Sequence, residues 1–335
     1  MPNKICAIVP IYNREELLIE CLEALTKQTR PLDGIYLIDN ASTDNIPHLL
    51  LEKGYIQELP PPNLKYPIEK EYYIKNLFDH EIIAIHYVRM EKNTGAAGGF
   101  YEGIKRAFAK KYDWLWLLDQ DAIADLNALA ILLNNIEHLI KLGKVGYICS
   151  NPLNMDGKPD LMLLPRVVVK DEDKALTFNS YYTKEVSVLP ISSCGFTGAL
   201  VSSLAIKECG FPFKEFFIWN EDFEWTRRIF RQGFLGFISL DSRITHFTLN
   251  TGPGDNIDKM PLDKLERIYF EVRNKAVIFR QDYKLIKFII IYLLFVLKVI
   301  KRLFKRKDIN KTKYLLLIIK AFINGFLFKP KIEKP

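Results

Sequence analysis

Over the first 240 or so residues, short apolar runs alternate with stretches whose apolar positions recur every three or four residues. Residues 5–10 (ICAIVP) read as a buried strand. After Tyr12 and Asn13, the positions Leu17, Leu18, Cys21, Leu22 and Leu25 form one helical face, with Asn13 as the cap and Glu16 placed to complete a capping box. Residues 35–38 predict a second strand, ending at Asp39-Asn40. Strand, helix and strand in about 35 residues predict a βαβ unit with a right-handed crossover. Residues 45–80, with three consecutive prolines at 60–62, predict an irregular insertion containing helical pieces. A third strand over 81–88 leads to a glycine-rich turn at 93–99 and a helix reaching Ala109. The run WLWLL at 114–118 suits a strand buried on both faces. A helix from about 125 to 142, closed by Gly143, and a strand over 146–150 follow. Residues 151–189 read as loop-rich. Gly195 and Gly198 precede a short helix, and a further helix after Trp219 ends at Gly233. A strand over 234–240, with His246 just beyond it, and an amphipathic helix over 262–279 complete the pattern. Such alternation predicts an α/β fold with a mostly parallel sheet flanked by helices.

Composition adds a division the periodicity does not give. A length of 335 residues and 49% hydrophobic content supply core for one large or two ordinary domains. The five cysteines show no metal-ligand spacing and no paired pattern, which fits a reducing compartment, and no secretory signal is visible at the start. Of the net charge of +7, residues 284–335 carry +12, leaving −5 for residues 1–283. The basic segment contains ten consecutive apolar residues at 288–297, bracketed by Lys287 and Lys298. A second apolar stretch at 314–328 is interrupted by Lys320 and Asn324. A spanning helix needs about 20 apolar residues, though marginal lysines can snorkel. Mixed with apolar residues, these charges point to an anionic membrane surface and away from nucleic acid. The expected division is an α/β domain over 1–283, which the resemblance given below makes the catalytic one, and a basic helical region over 284–335 that associates with the cytoplasmic side of the cell membrane. The alternative for the tail is a bundle packed on the catalytic domain or on another subunit, and self-association is left open.

The chemistry concentrates where the strands end. Asp119 and Asp121 follow a buried strand at once, and in open parallel sheets ligands bind beyond the carboxyl ends of the strands. Two carboxylates one residue apart offer hard oxygen ligands to Mg or Mn. Gly95, Gly98 and Gly99 permit close backbone approach, and a following helix N-terminus favours a diphosphate or sugar hydroxyls. Each signal alone has an ordinary reading, as a solvated turn, a tight connection, or acidic residues opening a helix.

Together, in order over about 5–280, they resemble glycosyltransferase family 2, whose members are inverting enzymes with the GT-A fold. The segments are VPIYN at 9–13, IDNASTD at 38–44, NTGAAGGF at 93–100, DQD at 119–121, WNED at 219–222, and His246. The resemblance implies a nucleotide-sugar site lined by Pro10, Tyr12, Asn13, Asp39, Asn93, Gly95, Gly98, Gly99, Asp119 and Gln120, with Asp39 against the base. It implies a divalent metal (Mn or Mg) on Asp119, Asp121 and His246, and an acceptor site shaped by Trp219 and Glu221. Asp222 is implied as the general base; the motif prefers it to Glu221, and spacing alone does not choose. NTGAAGGF followed by WNEDFEW is most similar to bacterial galactofuranosyltransferases and rhamnosyltransferases. The glycines lean to the former, whereas Gln120 stands where that branch often has a third Asp. The implied donor is UDP-galactofuranose, with dTDP-rhamnose the alternative. The implied acceptor is a lipid-linked or growing glycan, and the product a bacterial surface polysaccharide. Two other classes compete: a non-catalytic scaffold with this fold in a membrane assembly, and a nucleotidyltransferase. The latter would usually show a basic glycine-rich loop after its first strand, where Pro10, Ile11, Tyr12 and Asn13 stand.

Overall fold

The computed structural model of the protein describes residues 3–169, 172–175, 186–247, 257 and 260–335. The chain runs β1 (Ile5–Ile11), α1 (Glu15–Thr26), β2 (Gly34–Asp39), α2 (Ile46–Glu52), β3 (Ile68–Lys75), β4 (Ile82–Arg89) and α3 (Gly95–Ala109). It continues through β5 (Trp114–Leu117), β6 (Ala122–Ala124), α4 (Ala128–Leu139), β7 (Val145–Leu153), β8 (Arg166–Val169), β9 (Glu172–Ala175), β10 (Val188–Ser193) and β11 (Ala199–Ser202). Then come α5 (Ser203–Cys209), α6 (Glu221–Arg231), β12 (Leu235–His246), α7 (Ile268–Asp282), α8 (Leu285–Lys305) and α9 (Lys311–Leu327).

One 12-stranded sheet orders the strands β3-β4-β2-β1-β5-β11-β7-β12-β10-β8-β9, with β6 on the end of β12. Strands β4, β2, β1 and β5 are mutually parallel, as predicted. Beyond β5 the sheet is mixed: β11 runs antiparallel between β5 and β7, and β12 is parallel to β7. Alternate residues of β1 feed two layers, since successive side chains of a strand point to opposite faces. Ile5, Ala7 and Val9 pack with Leu18, Leu22 and Leu25 of α1 and Leu129 and Leu132 of α4. Cys6 and Ile8 pack with Phe100 and Ile104 of α3 and with Trp225 and Ile229 of α6.

The structure corrects several expectations. Strand β3 lies inside the expected irregular insertion; it is a charged edge strand, antiparallel to β4, so only Tyr72 is buried and no apolar run marks it. Strands β8 and β9 form a hairpin within the expected loop-rich section. His246 is the last residue of β12 and does not lie past it, because pairing with β6 extends that strand. Asn13 does not cap α1. Its side-chain oxygen accepts the Thr43 N–H at 2.9 Å, and Arg14, with φ 62°, occupies the cap position without a side-chain bond that caps the helix. Gly98 and Gly99 lie within α3, which begins at Gly95.

Packing crosses the compositional boundary at 283/284. Phe288, Tyr292, Val296, Val299 and Leu303 of α8 form a third core with Val272 and Ala276 of α7 and Ile318 and Ala321 of α9. The Tyr292 hydroxyl donates to the Val272 carbonyl at 3.1 Å. Past α9, the Phe328 ring lies 5.9 Å from that of Phe216 at a 44° tilt, and Glu333 pairs with Lys105 at 2.8 Å. The opposite faces of these helices are apolar and bare, with Leu285 70%, Ile286 75%, Leu294 59% and Leu327 74% exposed. Among the described residues, no helix is long and apolar enough to cross a membrane.

Candidate active site

The carboxyl ends of β1 and β5 and the end of β12 open into one cavity of about 940 Å³. Strand β5 delivers Asp119, Gln120 and Asp121. The β6–β12 register sets His246 opposite Ala122, and so beside Asp121. Asp119, Asp121 and His246 each offer a ligand atom, all within 4.8 Å of one another. Nε2 of His246 lies 3.5 Å from Asp121 Oδ1 and 3.9 Å from Asp119 Oδ2. Its Nδ1 is 2.8 Å from Asp160 Oδ2, which orients the ring and leaves Nε2 toward the carboxylates. Two carboxylates and an imidazole nitrogen, oriented by a further carboxylate, fit a divalent cation.

The electrostatics agree with that fit. Burial and the neighbouring charge of Asp121 raise the Asp119 carboxyl above its usual range. At Asp121 burial acts in the same direction, but the hydrogen bond from His246 and the charges of His246 and Arg14 prevail and hold it low. Burial opposes the charge on His246, yet its bonds to Asp121 and Asp160 push it up to about 10. The imidazolium therefore supplies positive charge at a spot the carboxylates make negative, and a cation ligated there would take the place of its Nε2 proton. Arg14 Nη1 adds a contact of 3.0 Å to Asp121 Oδ2, and the Thr197 hydroxyl donates to Asp119.

Across the cavity, Asp222 stands in the first turn of α6 after a strained approach. Phe217, Trp219 and Asn220 have φ of 66°, 68° and 72°, a left-handed conformation that side chains disfavour. Asn274 of α7 holds this approach, donating to the carbonyls of Phe216 (3.0 Å), Ile218 (3.1 Å) and Trp219 (2.9 Å). Asn220 donates to Glu271 at 2.6 Å. Burial pushes Asp222 up to about 7 against the N–H of Phe223, which bonds its Oδ1 at 2.7 Å, and the charge of Asp119 adds to the rise. Glu221 is buried with Oε2 unpartnered, and burial followed by the charge of Asp222 raises it well above the carboxylate range.

Pro10, Tyr12, Asn13, Asn93, Gly95, Asp119, Gln120, Asp121, Trp219, Glu221, Asp222 and His246 all line this cavity. Among the donor-site expectations, Asp39, Gly98 and Gly99 do not. Asp39 is fully buried and occupied: Oδ1 accepts the Ser42 N–H at 2.8 Å, and Oδ2 accepts the Tyr87 hydroxyl at 2.7 Å and Arg89 at 2.5 Å. Gly99 lets α3 close on β1, since a Cβ there would lie 2.8 Å from Pro10 Cβ. Gly95 has φ +74°, and a Cβ would meet the Phe217 carbonyl at 2.0 Å, so this glycine joins the two sides of the site. Gln120 acts on protein groups: its Oε1 accepts the Tyr12 N–H at 2.7 Å, and its Nε2 donates to the carbonyls of Asn13 and Arg14. Residues the sequence reading passed over include Asp160, Thr197, Arg14, Lys264, Arg267 and Asn274.

Glycosyl transferase family 2 matches residues 6–60 and 71–176 of this chain. The galactofuranosyltransferase GlfT1 of Mycobacterium tuberculosis is 27% identical over 247 residues, 73% of this chain and 71% of that protein. S. aureus TarS 1–349 in complex with UDP-GlcNAc is similar with a TM-score of 0.52 at 14% identity, covering 97% of this chain and 73% of that one. GalNAc-T7 with UDP, GalNAc and Mn2+ gives a TM-score of 0.50 at 16% identity, covering 82% of this chain and 51% of that one. At these identities the two structures bear on the fold alone, which they share with this mixed α/β sheet and its flanking helices.

Proposed function

Because the chain belongs to glycosyl transferase family 2 and is a glycosyltransferase, we propose that it transfers galactofuranose, with inversion, from UDP-galactofuranose to a lipid-linked glycan. The observation carrying this reading is the convergence of Asp222 with Asp119, Asp121 and His246 in one cavity. Similarity to GlfT1 favours galactofuranose over rhamnose. The acceptor hydroxyl attacks the anomeric carbon as the bond from that carbon to the diphosphate oxygen breaks. Asp222 takes the hydroxyl proton, and UDP leaves with the bonding pair. A base titrating near neutrality matches that task.

Asp119, Asp121 and His246 would hold a divalent cation, which supplies electrostatic stabilisation of the departing diphosphate. Tyr12, Asn13 and Asn93 flank the donor end. Trp219 offers a flat face to the acceptor, and Glu221, whose protonated form burial favours, stands beside it. Residues 284–335 serve as the surface-association region, peripheral on the cytoplasmic side of the membrane: the bare faces of α8 and α9 enter the interface, and the interspersed lysines meet anionic headgroups. The product is a bacterial surface polysaccharide.

A donor panel with the purified full-length protein, read as nucleotide release with manganese and with chelator, tests the assignment. UDP-galactofuranose should be turned over fastest, and chelation should stop it. Faster use of dTDP-rhamnose would overturn the donor assignment, and undiminished turnover under chelation would overturn the cation.

A further inference from the structure

We propose that Arg14 is a placeholder at the cation site. When a divalent cation takes the Asp121 carboxylate, Arg14 leaves it and joins Lys264 and Arg267 as a cradle for a diphosphate. The inference rests on the donor reading above and deepens it by naming which cations of this chain receive the phosphates and in what order.

The first observation is a competition. Arg14 Nη1 sits 3.0 Å from Asp121 Oδ2, and Asp121 also faces His246 and Asp119 within the candidate ligand group. A guanidinium on Oδ2 and a divalent cation on the same carboxylate repel each other, so each occupancy weakens the other. The pair is lopsided: the Arg14 side chain is 49% exposed and that of Asp121 only 8%. Its backbone, by contrast, is fixed. Asn13 and Arg14 have φ of 54° and 62°, and Gln120 clasps the loop through the Tyr12 N–H and the carbonyls of Asn13 and Arg14. A rigid pivot carrying a long, half-exposed arm is suited to exchanging partners.

The second observation is where the arm can go. Lys264 and Arg267 lie in the 3-10 turn Leu262–Arg267, three residues apart, and side chains at that spacing eclipse on one face of such a turn. Both line the same cavity as Asp119 and Asp121, half-buried in its wall. Among the described residues neither side chain has a hydrogen bond or an ion pair. Burial and the charge of Arg14 disfavour the protonated form of each, so the three cations already feel one another. The charges of Asp263 and, at Lys264, of Asp121 offset this only in part, and an anionic ligand relieves the remaining cost. A diphosphate does so through charge-assisted bonds, and arginine meets phosphate oxygens with a planar fork. Three cations beside three cation ligands in one cavity are complementary to a diphosphate and its divalent counterion together.

Calorimetry on the full-length protein tests this with manganese ion alone, and with inorganic pyrophosphate added to manganese-saturated protein after correction for their association in buffer. Arg14→Gln should bind manganese more tightly, by about threefold or more, because a competitor is gone, yet bind pyrophosphate about tenfold more weakly. Lys264→Gln and Arg267→Gln should change manganese affinity less than Arg14→Gln does and weaken pyrophosphate by about tenfold each. Arg14→Lys should fall between wild type and Arg14→Gln on both axes. Weakening of both ligands in Arg14→Gln would mean a structural role and overturn the proposal, as would unchanged pyrophosphate affinity in the three glutamine variants. Neither probe carries a sugar, so failure of UDP-galactofuranose as donor leaves this result readable, and the converse also holds.

Discussion

Two strand ends flank β1, and both carry an aspartate directly after an apolar run. At the end of β2, Asp39 is register-paired with Arg89 of β4, and Tyr87 and the Ser42 N–H complete its shell. At the end of β5, Asp119 and Asp121 have each other, a histidine, the Thr197 hydroxyl on Asp119 and one partly exposed arginine, and they open onto the cavity. The local signal is the same at both ends. What differs is the supply of donors from neighbouring strands: saturated at Asp39, deficient at the β5 pair. A carboxylate with its bonds filled by protein braces the fold, and one left short of donors is available to a ligand.

The largest expected effect lies on the open side of this comparison. Asp222→Asn keeps the shape of the side chain but cannot accept a proton. Transfer should fall by about 10²–10⁴-fold, while UDP binding stays near wild type in an equilibrium titration. Turnover within a few-fold of wild type would remove Asp222 as the base.

The next contrast sets the two strand ends directly against each other in stability. Asp39→Ala leaves the Arg89 guanidinium and the Tyr87 hydroxyl without their acceptor in a buried place, and should cost about 3–5 kcal/mol in denaturant unfolding. Asp119→Ala should change the unfolding midpoint little, because it also relieves repulsion from Asp121, while manganese affinity drops. Equal destabilisation by the two substitutions would erase the distinction.

A pH series sharpens it further. Asp222 must be ionised to act, so kcat/KM should rise through about pH 7, with a bound cation moving that limb to lower pH. The stability consequence has the opposite sign. A carboxyl raised in the folded state holds its proton longer there than in the unfolded chain. Its stabilising contribution is complete below the ordinary carboxylate range and is lost as pH climbs to about 7. Metal-free wild type should therefore lose stability over that window, and Asp222→Asn should show a flatter profile.

The sequence was most readable where burial is two-sided. Strands β1, β2, β4 and β5 appear as apolar runs because helices cover both faces of that part of the sheet. Strand β3 was hidden because an edge strand with Glu69, Lys70 and Glu71 has no such run. In the site, the motif aspartates and His246 were legible because each lies at an element's end, and the structure brings them together. Asp160, Asn274, Lys264 and Arg267 were not, since their roles depend on partners 50 or more residues away, or on a turn that only folding lays beside β5, as with the 86 residues separating Asp160 from His246. The filled shell around Asp39 was not legible either, because its counterion, Arg89, is set by strand register and has no local mark.

The smallest expected effect concerns the tail, where the same contrast between filled and unfilled recurs along a single helix. On α8, Phe288 and Tyr292 are buried against α7 and α9, whereas Ile286 and Ile290, on the other side, are 75% and 52% exposed. Deleting residues 284–335 would strip the cover from α7 along with the bare face, so it mixes folding with attachment; substitutions on the outer face separate them. Ile286→Glu with Ile290→Glu removes apolar area available to a membrane and adds two negative charges among basic residues. The pair should lower binding to anionic vesicles several-fold and leave unfolding within about 0.5 kcal/mol of wild type, as for exposed positions generally. Phe288→Ala, from the same helix, should do the reverse, costing about 3–5 kcal/mol through the cavity it leaves while sparing the outer face. Vesicle sedimentation at low and high salt reads the first effect, because screening shortens the reach of the lysines but not of the isoleucines. Unchanged sedimentation of the double glutamate variant would remove the bare face of α8 as the membrane contact.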